Sequence, residues 1–207
     1  MLNSPTSSLQ TLALDDGSGL RVVRARFVEE EKFDWALFEG FESLRVLTYS
    51  ASSSAVVRML DGFSFERFEC VFGSEGRLGN FLEVLAFQQV VTGQTRAAIM
   101  GLKDDRHRRI LERIAEGHAR FWVLRQYVAH AKLFLLSSGD RTRVIVGSAN
   151  LSERAFSGVQ PETLVVFDND VGAWRHYSRM FDAIRGSGSN EMPFPRCPSH
   201  RGGLQVW

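Results

Sequence analysis

Cysteine is scarce in this sequence, long apolar runs are missing, and neither sign of charge prevails; each lack closes off a class of protein. The two cysteines, Cys70 in a strand-like run and Cys197 in a proline-bearing tail, supply no disulfide framework and point away from the stapled domains of small secreted proteins. Cys197-Pro-Ser-His200 has the shape of half a zinc site, but the chain offers no second pair of ligands, so neither a metal nor another cofactor is expected. No stretch approaches the ~18 apolar residues of a membrane span. The opening MLNSPTSSLQTLALDDGSG lacks the basic-then-apolar order of a signal peptide. A cytoplasmic protein without membrane contact is the expectation. With 25 Lys and Arg against 24 Asp and Glu, the formal net charge is +1. No global basic field announces a polyanion, so contact with nucleic acid must come from local patches.

What is present suffices for one substantial core: 207 residues, 44% of them apolar. Strand-like runs are expected at Leu20 to Phe27, Leu44 to Tyr49, Phe68 to Phe72, Arg96 to Met100, Arg120 to Val128, Ala131 to Leu136, Arg143 to Gly147 and Thr163 to Phe167. Helical patterns fall at Glu31 to Glu42, Ser52 to Leu60, Gly79 to Val91, Asp104 to Glu116 and Val171 to Ile184. The first half alternates strand and helix, which suggests crossovers and parallel pairing, whereas the close succession of strands after Arg120 suggests antiparallel pairing. The fold class expected is α/β, a mixed, largely parallel β-sheet flanked by helices on both faces. Residues 1–185 read as one domain. Residues 186–207, which begin Gly-Ser-Gly-Ser-Asn-Glu-Met-Pro, read as a linker-like C-terminal tail.

Between residues 130 and 162 several polar side chains fall in a spacing suited to phosphodiester chemistry. His130 and Lys132 lie at i and i+2 in an apolar, strand-like run, so imidazole and ammonium project from the same face. The next strand ends in Gly147-Ser148-Ala149-Asn150, ahead of a helix-compatible stretch from Leu151 to Phe156. A phosphate at such a helix start would meet unpaired N–H groups, the Ser148 hydroxyl, the Asn150 amide and Lys132. Glu162 opens the following strand, where its carboxylate could orient the His130 ring. Structural readings stand beside these: Asn150-Leu-Ser-Glu153 is also an N-cap box, Ser148 a turn residue, and Glu162 an exposed strand-start carboxylate. Thr48, Tyr49 and Ser50, at an earlier strand end, either flank the same site or lead into a serine-capped helix.

His-x-Lys, then Gly-Ser-x-Asn, then a downstream Glu resembles the phospholipase D superfamily, in particular its compact nuclease-like branch; in motif terms the resemblance covers roughly Tyr127 to Asp168. It implies that His130 is the nucleophile that forms a phosphohistidine, that a second histidine protonates the leaving oxygen, and that Lys132, Asn150 and Ser148 stabilise the non-bridging oxygens without a metal. Two departures matter. The position five residues after Lys132, an Asp in the fuller family pattern, is Ser137, with Asp140 nearby but out of register; this disfavours a lipid-cleaving enzyme more than it disfavours catalysis. His-x-Lys occurs once, so a two-histidine mechanism implies a homodimer with His130 from each subunit at a twofold axis. The resemblance thus implies an endonuclease, on DNA before RNA, in a restriction or defence setting, with a helicase-like module as a further partner. A phospholipase and a silent nucleic-acid-binding or dimerisation module remain alternatives. Arg120, Arg125, Arg141, Arg143 and Arg154 could line a phosphate track, and the basic run from Lys103 to Arg113 reads as either a DNA patch or an ion-paired helix face.

Overall fold

The computed structural model describes residues 24–27, 35–63, 65–73, 92–101, 105–124, 129–157, 160, 162–192 and 194. Among them, strands β1 (Arg24–Phe27), β2 (Ser43–Thr48), β3 (Arg67–Phe72), β4 (Ala119–Leu124), β5 (Lys132–Ser138), β6 (Arg141–Gly147), β7 (Thr163–Asp168) and β8 (Ser189–Glu191) form one sheet in the order β1-β7-β6-β5-β2-β3-β4-β8. The helices are α1 (Ser53–Asp61), α2 (residues 92–101), α3 (Asp105–Ala115) and α4 (Val171–Gly188).

The sheet is mixed, as expected, but its balance is antiparallel. β2 pairs with β3 and β3 with β4 in parallel, and every other pairing between these strands is antiparallel. The strand–helix alternation that suggests parallel pairing reaches no further than β4: the turn at Gly139–Asp140 returns β6 beside β5, β7 lies beside β6, and β5 and β8 join β2 and β4 in antiparallel fashion.

Period-two alternation divides the core into two layers. Leu44 and Val46 of β2, Phe68, Cys70 and Phe72 of β3, and Phe134 and Leu136 of β5 pack beneath α1, α2 and α3. Leu47, Val71, Leu133 and Leu135 face the opposite way, against Ala173 and Phe181 of α4. Helices therefore cover both faces, and the central strands read as continuous apolar runs. Burial pushes the Cys70 thiol up, away from reactivity.

Four expectations are corrected. Residues 96–100 belong to α2 and not to a strand: Thr95 and Ile99 are buried four residues apart while Arg96 and Ala97 are exposed, a helical period in an alanine-containing run. The helix expected over Glu31 to Glu42 is a short 3-10 turn at Trp35–Phe38 within the described residues, ended by Gly40 at φ 73°. The helix-compatible stretch from Leu151 to Phe156 forms turns, because Leu151 instead bridges to Ala51 beside β2. Residues from 186 onward do not begin a linker: α4 runs to Gly188, and β8 adds to the sheet edge with Met192 buried behind it. Gly79 to Val91, Arg125 to Val128, Lys103, and Cys197 with His200 lie outside the described residues.

Candidate active site

Register brings the motif residues to one end of the sheet. Lys132 pairs with Gly147, Gly147 with Leu164, and Leu133 with Leu47, so the start of β5, the end of β6, the start of β7 and the end of β2 lie side by side. Strands that alternate in direction place residues far apart in sequence at a common edge.

Two glycines permit the close approach of these segments. A Cβ at Gly147 would stand 1.9 Å from the Thr163 carbonyl oxygen, and one at Gly73 would stand 2.1 Å from that of Ala129, next to His130. The Ser148 N–H donates to the Thr163 carbonyl at 3.0 Å, and the Gly73 N–H donates to that of Thr48 at 2.8 Å. The glycine before Ser148 is thus required by packing. Gly73 is a further residue of the site's framework, and its signal in the sequence is its place at the end of an apolar strand.

His130 lies just before β5 with its side chain exposed, whereas Lys132, the first residue of the strand, is 7% exposed. The Lys132 Nζ donates to the His130 carbonyl at 2.8 Å and lies 3.0 and 2.9 Å from the two nitrogens of the same ring. A neutral imidazole has one acceptor nitrogen, so the ammonium cannot hydrogen-bond to both and instead caps the ring. The Tyr49 ring packs on His130 with centroids 4.9 Å apart, and the Lys132 ammonium lies 5.8 Å from the Tyr49 centroid. Imidazole, ammonium and phenol form one cluster.

Asn150 is held by the loop after β2. Its Oδ1 accepts the Ser50 backbone N–H at 3.3 Å and lies 3.3 Å from the Thr48 hydroxyl, which donates to the Ser50 carbonyl at 2.6 Å. The backbone donor fixes which amide atom points there, so Nδ2 is turned away, and among the described residues it makes no hydrogen bond. The Leu151 N–H, a donor that a helix start would have offered to phosphate, is taken by the buried Thr48 hydroxyl at 3.1 Å.

Glu162 is buried and accepts the Ser148 hydroxyl, which itself accepts the Thr163 N–H at 3.0 Å. The orienting role expected of Glu162 toward His130 is not what these contacts form. The ring is positioned by Lys132 and Tyr49, and the Ser148 proton is committed to the carboxylate.

The arginines divide. Arg120 is bound by Glu191 at 2.7 and 3.0 Å, Arg143 by Asp168 at 2.6 and 3.0 Å, and Arg141 donates to the Gly40 carbonyl at 2.7 Å. Arg108 pairs with Glu112 and Asp105, and Arg109 with Asp61, so in α3 the described side chains form an ion-paired face. Arg154 is exposed and has no ion pair among the described residues. The described residues bring no three His, Cys, Asp or Glu side chains together as a metal-ligand set.

Fold and site together define an α/β protein with a His-Lys pair, a held amide and a buried carboxylate at one end of a mixed sheet. No family model matches the chain, and no curated protein matches it. Among solved structures it is similar to a phospholipase D family member, Nuc from Salmonella typhimurium, at 16% identity over 77% of this chain and 87% of that one, with a TM-score of 0.46. It is also similar to NucT from Helicobacter pylori, at 14% identity over 70% of this chain and 80% of that one, with a TM-score of 0.39.

Proposed function

We propose that the chain is a metal-independent phosphodiesterase, an endonuclease cleaving DNA through a phosphohistidine intermediate as a homodimer. The observation that carries this reading is the sheet register, which gathers His130, Lys132 and Asn150 at one edge with the imidazole exposed and the cation beside it.

A nitrogen of His130 attacks phosphorus; the P–N bond forms as the P–O bond to the leaving strand breaks. The leaving oxygen takes a proton from His130 of the partner subunit, which then accepts a proton from the water that attacks the phosphohistidine and regenerates the free ring. The Lys132 ammonium and the Asn150 Nδ2 stabilise the charge on the non-bridging oxygens, the larger electrostatic part of the work. Ser148, whose hydroxyl donates to Glu162 and accepts from the Thr163 N–H, holds β6 against β7.

The shared site is tested by mixing. When inactive His130→Ala protein is titrated into native protein and subunits are allowed to exchange, activity should fall in proportion to the loss of native dimers, not of native chains. A 23.3 kDa species that cleaves DNA and shows no dimer in sedimentation would overturn the two-histidine arrangement. Denaturing quench of a reaction on labelled DNA should trap an acid-labile, alkali-stable adduct on His130; turnover with no such adduct at any time point contradicts the covalent step.

A further inference from the structure

At the other end of β2 and β3, roughly 16 Å along the strands from the candidate active site, lies a cavity of about 400 Å³ lined by Ser43, Arg45, Arg67, Glu69, Ser137, Trp174, Asp182 and Arg185. The period of two that sends Leu47 and Val71 beneath α4 sends Ser43, Arg45, Arg67 and Glu69 to that same face, where apolar residues would be expected. Glu69 is fully buried; its Oε1 accepts from Arg67 and its Oε2 from Arg185 at 2.6 Å. Asp182 accepts from Arg45 at 3.3 Å and lies 3.2 Å from Arg185. The Arg45 Nη2 donates to the Ser178 hydroxyl at 2.8 Å, and its guanidinium lies over Trp174 and Phe181.

Three guanidinium groups therefore meet two carboxylates, and one positive charge on the wall has no counter-ion among the lining groups. Each guanidinium offers five N–H donors, more than these carboxylates accept. Burial pushes the Arg45 guanidinium down from its ordinary value; Arg185 and Arg67 push it the same way, and Asp182 with Glu69 does not make up the difference. The neighbouring Arg120 is already neutralised by Glu191. An anion entering this cavity gains charge-assisted, bidentate contacts that fixed carboxylates leave unfilled. The volume suits a small molecule.

We infer that this cavity is a second anion site, which takes a small phosphate-bearing ligand on Arg45, Arg67 and Arg185 with Trp174 as its apolar wall. It is distinct from the candidate active site and does not depend on the chain's being a nuclease. Titration calorimetry of the full chain with inorganic phosphate tests it in native protein, Arg67→Gln and Asn150→Ala. The side chain of Arg67 is 63% exposed but donates to the buried Glu69, so the thermal midpoint of Arg67→Gln without phosphate is measured alongside, and Arg67→Lys, which keeps the charge, serves as the second variant, expected to fold with the native midpoint. The expected result is saturable binding that weakens at least tenfold in Arg67→Gln, less in Arg67→Lys, and not in Asn150→Ala. Binding lost in Asn150→Ala alone assigns the ion to the candidate active site and overturns the inference, as does an absence of saturable binding. A short oligonucleotide that loses affinity in Arg67→Gln while phosphate does not bind would place a nucleic-acid strand there and overturn the small-ligand assignment.

Discussion

A lysine that is 7% exposed has given up most of its water, and at Lys132 the replacements include the His130 carbonyl, the His130 ring and the face of Tyr49. Such a group is retained where its charge acts, since burying it costs several kcal/mol without compensation. Removing one charged or amide donor from a site that stabilises developing negative charge typically lowers turnover by about 10²–10³. Lys132→Met and Asn150→Ala are each expected to fall in this range in single-turnover cleavage, with DNA binding reduced much less; an unchanged rate in either removes that residue from the account. Tyr49→Phe keeps the ring on His130 and should retain activity, whereas Tyr49→Leu should lower kcat more than it raises KM. Glu162→Gln keeps an oxygen for the Ser148 hydroxyl, so the fold should survive; an unaltered kcat would confine Glu162 to a packing role.

The elements that hold these residues are fastened by close backbone contacts and by an aromatic cluster. Phe156, in the turns after Asn150, packs on Phe38 and Phe134 at centroid distances of 5.2 and 5.6 Å. Phe156→Ala should cost about 3–5 kcal/mol in denaturant unfolding, and should lower activity even under conditions where the protein remains folded. Gly73→Ala must displace the Ala129 carbonyl, a backbone group, and with it His130. A loss of about 1–3 kcal/mol together with reduced cleavage is expected, and unaltered stability would show that the 129–130 segment yields freely. At the sheet edge, the Arg120 hydrogen bonds hold the Glu191 carboxyl below its usual range. A depressed folded value means that the pair contributes fully above the ordinary Glu pKa and that its contribution is lost as pH falls through the depressed one. Chemical denaturation below pH ~4 should therefore show a smaller pH dependence in Glu191→Gln than in native protein.

At this level the sequence was most legible where one period dominated. β2, β3, β5, β6 and β7, α1, α3 and α4 fall close to where alternation or a helical stripe puts them. It misled where a short apolar run suits two periods, as in Arg96 to Met100, or where tertiary contact decides: Leu151 joins Ala51 instead of opening a helix, and the Gly-Ser stretch at 186–189 ends α4 and begins β8 because β4 offers a free edge. The candidate site residues were legible because spacing along neighbouring strands determines which ones meet. The partner of Glu162 was not, because the choice between His130 and Ser148 rests on a rotamer that no spacing specifies.

For the whole molecule, the near-zero net charge and the neutralisation of Arg108, Arg109, Arg120 and Arg143 by carboxylates leave little general attraction for DNA. Binding that depends on a few local cations should show a shallow salt dependence, with a slope in log K against log[salt] corresponding to few phosphate contacts. Among the described residues no helix is long and apolar enough to cross a membrane. His-x-Lys occurs once per chain, with the His130 ring exposed, and the proposed two-subunit site rests on that. In the proposed reaction the His130 nitrogen does the chemistry without a metal. This is tested most directly by cleavage of labelled single-stranded and duplex DNA with purified protein in excess EDTA, with His130→Ala run in parallel. A metal-free histidine mechanism gives cleavage by the native chain and none by the variant. Cleavage that EDTA abolishes, or that His130→Ala retains, would contradict it.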